Sequence, residues 1–239
     1  FVASHAVTAT LALPAARYPD QADAYRFFQR LIERVAQLPG VHAAGAAASL
    51  PFVGDYVTSV VIEGRPALPP SERPPANYYS VTPGYFEAMA IRLVRGRFFT
   101  EQDGPGAPRV GIINETFARR LFPGEDPLGK RVQVDMMGPD VLREIVGIVA
   151  DTKQYDLAED AISQFYEPCG QLPFSMMTLA VRTDNNPASL APALRDTVRA
   201  LDPDLPVGQV RRLEELLAQS IGPQRLSTLL LGTFALSAL

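Results

Sequence analysis

Hydrophobic and polar positions follow two different periods along the chain. Ala6 to Leu13 (AVTATLAL) alternates with period two, as a half-buried strand does. Ala24, Phe28, Leu31, Val35 and Leu38 then recur every three or four residues, the stripe of an amphipathic helix. Asp20 stands where a cap belongs, and Pro39-Gly40 stops the helix. Val41 to Leu50 (VHAAGAAASL) reads as a second strand. The layout returns near the other end. Met176 to Thr183 (MMTLAVRT) is strand-like, Asn186 and Pro187 suit the cap and first helical positions, and Leu190, Leu194, Val198 and Leu201 form one apolar stripe. Asp202-Pro203 ends that helix, Val207 to Val210 is the expected closing strand, and Leu213 to Ile221 a short amphipathic helix. Two strand–helix–strand units on one sheet predict the split β-α-β arrangement of ferredoxin-like folds.

The residues between the copies have a different texture. Tyr56 to Glu63, Asn77 to Val81, Val110 to Ile113, Arg131 to Val134 and Leu142 to Val149 read as strands. Pro83 to Met89 and Glu115 to Leu121 read as short helices. Pro66 to Pro75 (PALPPSERPP) must be an extended loop, a connector rather than a PxxP ligand. The expected class is therefore α+β: a discontinuous domain of two βαβ units, residues 1–52 and 172–222, carrying an inserted mixed α/β subdomain at 53–171. Residues 223–239 stand apart. Leu226 to Leu239 carries no charge and leaves no polar face. At about 1.5 Å per residue it spans roughly 21 Å, short of the ~30 Å hydrocarbon core. It reads as the truncated start of a transmembrane helix, with Arg225 near the interface, rather than as a helix packed on the domain. Phe1 opens the chain without signal-peptide order, which reads as the interior of a longer polypeptide.

Composition narrows the function classes. With 47% apolar and 20% charged residues, neither disorder nor a polytopic membrane protein is indicated. The 22 prolines call for short elements joined by stiff loops. Net charge is −4 and no basic block exceeds Arg211-Arg212, so the footprint of a nucleic-acid groove is missing. Two histidines, His5 and His42, and one cysteine, Cys169, cannot build a structural zinc site from Cys and His alone, nor an intramolecular disulfide. No cofactor or metal is expected.

Gly124 to Lys130 has P-loop spacing, but Arg131 stands where Ser or Thr should hold magnesium, and Glu125 and Asp126 oppose a phosphate. The reading there is a turn shaped by glycine and proline. No G-x-S-x-G elbow occurs, and no histidine lies within 100 residues of Cys169. Acids such as Asp151, Asp156, Glu159 and Asp160 leave a soluble carboxylate-dependent hydrolase as an alternative, and a stand-alone protein-binding module as another.

A set of phrases then carries a resemblance. Val81-Thr82-Pro83-Gly84-Tyr85-Phe86 comes first, followed by Ile91 and Leu93 leading into Gly96-Arg97-Phe98, and Asp103. Ile113-Asn114-Glu115 with Ala118 follows, then Phe122-Pro123-Gly124-Glu125-Asp126-Pro127-Leu128-Gly129-Lys130-Arg131, and Glu144 to Val149 with its Gly147, then Asp151. In this order they resemble the periplasmic core domain of MacB-type and FtsX-type ABC transporter permeases. The resemblance implies that the βαβ copies form a porter-like subdomain. It implies a non-catalytic extracytoplasmic domain, facing the periplasm or cell exterior from the inner membrane, that couples movement of the membrane helices to an extracytoplasmic substrate or partner. ATP hydrolysis would belong to a cognate cytoplasmic ATPase. A periplasmic adaptor, a protein, peptide or lipid substrate, and a homodimer are partners the resemblance admits. The motif residues read as structural: Gly84 and Gly96 for turns, Tyr85 and Phe86 as core plugs, Asn114 as a helix cap.

Overall fold

The computed structural model describes residues 4–50, 56–66, 68–136, 141–152, 161–216 and 218. The chain is mixed α and β. In order it forms β1 (Ala6–Ala12), α1 (Gln21–Ala36), β2 (Val41–Ala47), β3 (Tyr56–Ile62), β4 (Pro75–Val81), α2 (Tyr85–Ala88), β5 (Leu93–Gly96), β6 (Val110–Asn114), α3 (Glu115–Leu121), β7 (Arg131–Val134), β8 (Leu142–Val149), β9 (Gln164–Pro168), β10 (Met176–Thr183), α4 (Leu190–Leu201) and β11 (Arg211–Arg212).

At one end the strands run β11-β1-β10-β2. β1 and β10 pair antiparallel along their whole length, from Ala6↔Arg182 to Ala12↔Met176, although some 160 residues of chain separate them. Tertiary burial makes this pairing: Val7, Leu11, Met177, Leu179 and Val181 share one core with Phe28, Leu31 and Val35 of α1 and Leu190, Leu194 and Val198 of α4. Both helices pack on that sheet with their predicted stripes inward. Asp20 occupies the cap position of α1 without a side-chain hydrogen bond. A 3-10 turn at Pro187–Ser189 delays the start of α4 to Leu190.

The other end closes on itself. β4-β3-β7-β8-β6-β9 are neighbours in turn, and β9 also pairs β4 in parallel from Asn77↔Gln164 to Val81↔Pro168. A ring of six strands results, and a closed ring leaves few edges bare. Alternation then sorts side chains. Tyr78 and Phe165 face one core, while their neighbours Tyr79 and Tyr166 face a second that includes α2. Between the two ends β2 and β4 share the single ladder pair Ala47↔Val81, extended by the bonds of Ala48 N–H to the Ser80 carbonyl and Thr82 N–H to the Ala46 carbonyl, and both cores run across the junction.

Three details depart from the sequence reading. The closing strand is Arg211–Arg212, not Val207 to Val210: Gly208 donates its N–H to the Thr10 carbonyl, but the paired ladder with β1 begins only at Arg211, opposite Thr8. β5 and β9 were not expected: β9 is buried at every position and so shows no alternation, and β5 is half-buried at one end and exposed at the other. The predicted extended loop around Pro70 contains a turn of 3-10 helix, Pro70–Glu72, and Pro75 already belongs to β4. The expected membrane-entry segment, residues 223–239, lies outside the described residues.

Candidate functional site

The motif residues gather in three places. The first is α2. Gly84 and Gly45 let the backbones of α2 and β2 touch: a Cβ on Gly84 would sit 2.2 Å from the Ala44 carbonyl oxygen, and one on Gly45 2.4 Å from the Tyr85 nitrogen. Behind them Tyr85 and Phe86 are fully buried. Phe86 stacks on Phe98 at 5.1 Å and meets Tyr166 edge-on at 5.1 Å. The Tyr85 hydroxyl has no partner among the described residues, and burial pushes its pKa far above the usual phenol range. Gly96, at φ +77, pairs with Gly147 across β5 and β8, where a Cβ on either would strike the opposing carbonyl at 2.3 Å. Arg97 next to it grips Asp103 with both terminal nitrogens, at 2.7 and 2.8 Å. Desolvation of Asp103 is the largest single influence and pushes its pKa up. The hydrogen bonds from Arg97 and Thr100 together outweigh it and hold the carboxyl below its ordinary range. Pro83, Gly84, Phe86, Ile91 and Phe98 line an open groove of about 770 Å³, with Glu87 and Arg92 at its rim.

The second place is the start of α3. Asn114 accepts from the Phe117 N–H at 2.9 Å, capping the helix as expected, and from the Gln164 N–H at 2.9 Å. Its amide donates to Asp151 at 2.7 Å and to the Ile162 carbonyl at 2.8 Å. Asp151 also accepts from the Thr116 N–H and hydroxyl, both at 2.8 Å. Asn114 and Asp151 thus tie β6, α3 and β9 together. Glu115 opens α3, where the helix dipole favours an acid.

The third is the Pro123 to Lys130 turn, which leads from α3 into β7. Gly124 and Gly129 sit at φ +76 and +77, and Gly129 donates to the Ile145 carbonyl at 2.8 Å. The N–H of Glu125 and that of Lys130 return to the carbonyls of Phe122 and Pro127. Asp126 pairs with Arg95 at 2.6 Å, Lys130 lies 3.9 Å from Glu125, and Arg131 is engaged by Glu63. The geometry is that of a turn whose charges are already paired.

Sequence reasoning missed one constellation. Glu167, two residues from inward-facing Phe165 on β9, is fully buried. It accepts from Arg143 at 3.1 Å, Arg109 at 3.2 Å and the Tyr78 hydroxyl at 2.9 Å. Arg109 also donates to the Gln171 carbonyl at 2.6 Å, while the Gln171 side chain accepts from the Val110 N–H and donates to the Pro108 carbonyl. The hub pins the β9–β10 connection to the ring. A charge inside the run Phe165-Tyr166-Glu167-Pro168 was its only sequence signal.

These groups hold structure rather than perform chemistry. Among the described residues no three His, Cys, Asp or Glu side chains could hold a metal ion. The buried carboxylates Asp103, Glu167 and Asp202 are each engaged by arginine, whereas a general acid needs a carboxyl that keeps its proton near neutrality. Burial, followed by the charge of Glu101, pushes the Cys169 thiol up to about 12, so it is no nucleophile at neutral pH.

Comparison with known proteins bears on the same residues. The profile of the MacB-like periplasmic core domain matches residues 5–197, taking in all three motif sites. The chain belongs to this family. The family is a periplasmic domain of transporter permeases, not a catalytic one. An uncharacterized ABC transporter permease, YknZ of Bacillus subtilis, is 26% identical over 69% of this chain and 42% of its own length. The macrolide export ATP-binding/permease protein MacB of Marinobacter nauticus is 26% identical over 60% of this chain and 23% of its own. The chain thus spans under half the length of these relatives. The periplasmic region of MacB from Actinobacillus actinomycetemcomitans superposes with TM-score 0.60 at 16% identity, covering 92% of this chain and 94% of that one. The extracellular domain of YknZ superposes with TM-score 0.51 at 18% identity, covering 83% and 94%. No helix among the described residues is long and apolar enough to cross a membrane.

Proposed function

We propose that this MacB-like core domain is the non-catalytic extracytoplasmic part of an ABC transporter permease in the cell membrane, and that it moves as two bodies when its membrane helices move. The observation that carries this is the pairing of β1 with β11. Val7 faces Arg212 in an antiparallel ladder, so the chain enters and leaves the sheet side by side at one end. A domain inserted between two membrane helices needs that arrangement, because both helices can then pull on one sheet edge. The strand order β11-β1-β10-β2 supports reading the first body as the split β-α-β, porter-like subdomain, residues 1–52 and 172–222. The six-stranded ring is the inserted body at 53–171. The motif residues brace the second body and its seam with the first. We place the hinge where the β2–β4 ladder shrinks to one pair, with α2 sliding on β2 across the Gly45–Gly84 contact. ATP would be hydrolysed by a cytoplasmic ATPase, and an adaptor or a protein, peptide or lipid substrate would be met outside.

Sidedness is tested with Val57→Cys, a position 64% exposed, in a chain whose one native cysteine is buried. In right-side-out vesicles holding the parent protein, a membrane-impermeant maleimide should label it before the vesicles are opened. Labelling only after opening overturns the extracytoplasmic reading. Coupling is tested by spin labels at Val57→Cys and Gln37→Cys in the reconstituted transporter. A distance distribution that differs between ATP-trapped and ADP states supports the hinge, and identical distributions refute it.

A further inference from the structure

A second groove, of about 320 Å³, opens on the ring away from α2. Its cause lies in the strand pairing. β3 pairs β4 only as far as Ser59↔Pro75, then pairs β7 from Val60 to Ile62, so the ring wall parts on the β4 side. Val60, Ile62, Leu68 and Leu121 give the gap apolar walls, and Leu68 is 43% exposed there. Three arginines also line it, and they differ in commitment. Arg65 is held by the Leu121 carbonyl at 2.7 Å and by Glu125 at 3.0 Å, over the Phe122 ring. Among the described residues Arg73 spends only its Nε, on the Leu68 carbonyl. Arg120, exposed at the end of α3, has no hydrogen bond or ion pair to any described residue. Two guanidinium groups in a chain of net charge −4 therefore face one apolar cleft with donors to spare.

We propose that this groove binds a free single-chain carboxylate, its aliphatic body along Val60, Ile62, Leu68 and Leu121 and its head group on Arg73 and Arg120. Planar guanidinium forks match a carboxylate in two parallel hydrogen bonds, and an aliphatic chain removes the apolar walls from water. At roughly 30 Å³ per group of water or methylene size, the groove holds a chain of about ten such groups, at the small end of ligand pockets. The site does not depend on which side of a membrane the domain faces, so its failure and the failure of the permease reading are distinguishable.

The test is isothermal titration of the 239-residue chain with decanoate below its micellar concentration. Saturable one-to-one binding is expected. Arg73→Gln and Arg120→Gln should each weaken it about fivefold to tenfold, as should replacing the probe by uncharged decanol. Leu68→Asp should abolish it, and the melting temperature of each variant should show that the fold is kept. Absence of saturable binding, equal affinity for decanol, or an undiminished affinity in both arginine variants overturns the proposal. Vesicles containing phosphatidylglycerol form the last arm. If the chain binds them in an Arg120-dependent way and ignores decanoate, the groove reads a lipid surface and the free-amphiphile assignment is wrong.

Discussion

Replacing Glu167 by Gln should be strongly destabilising although it exchanges a single heavy atom. The carboxylate lies at 0% exposure between Arg143, whose side chain is 3% exposed, and Arg109, at 32%. Glutamine keeps the shape but leaves two guanidinium charges with no anion. Breaking a buried pair from one side costs about 3–5 kcal/mol, because the surviving charge stays buried. Arg109 reaches solvent and water offsets part of its share, so the lower end, about 3 kcal/mol, is expected. For a chain of this size that corresponds to a fall in Tm of roughly 6–12 °C. Urea denaturation followed by circular dichroism measures it, and an unchanged m-value confirms that stability, not compactness, has moved. A double-mutant cycle separates the charge from the packing. Glu167→Gln with Arg143→Gln removes both buried charges and should be less destabilised than the sum of the single variants by at least about 1 kcal/mol. A Glu167→Gln loss below about 1 kcal/mol, or strict additivity in the cycle, would refute the electrostatic account of the hub.

Gly84→Ala should cost about 3 kcal/mol, since the new Cβ meets backbone rather than a movable side chain, and a variant with wild-type Tm would show that α2 does not pack as described. Asp103→Asn should lose about 1–2 kcal/mol at pH 7. Because the folded-state pKa of Asp103 is lowered, its stabilisation is present above the unfolded value of about 3.9 and is lost as pH falls through the lower folded value. The gap between variant and wild type should therefore close below about pH 4, and a gap constant with pH would contradict this. Lys130→Ala should change stability by no more than about 0.5 kcal/mol and reveal no nucleotide binding to lose, because Lys130 reaches Glu125 only at 3.9 Å on the surface; micromolar ATP binding abolished by the variant would reverse that.

Periodicity located α1 and α4, because each buries one face and a buried face must repeat at the period of its backbone, while β1 to β4, β6, β7, β8, β10, α2 and α3 were legible as short apolar or alternating runs, β6 and β10 being buried on both faces. The cap role of Asn114 and the turns at Gly124 and Gly129 were legible for the same local reason: a short acceptor before a helix and a left-handed φ have few residue solutions. Order of motifs, more than any one of them, pointed to the family.

Tertiary structure decided the rest. That β9 bridges β4 and β6 and closes a ring could not be read from five residues whose pairing partners lie some 50 to 90 positions away. Glu167 looked like one acid among 26 acidic residues until the ring folded it between two arginines. Gly45 gave no signal in a run of alanines. Its role exists only because α2 comes back to lie on β2, within 2.4 Å of where its Cβ would be. The groove at Arg73 and Arg120 is of the same kind. It arises where β3 changes partners, and a change of partner is a relation between strands that no single strand carries in its sequence.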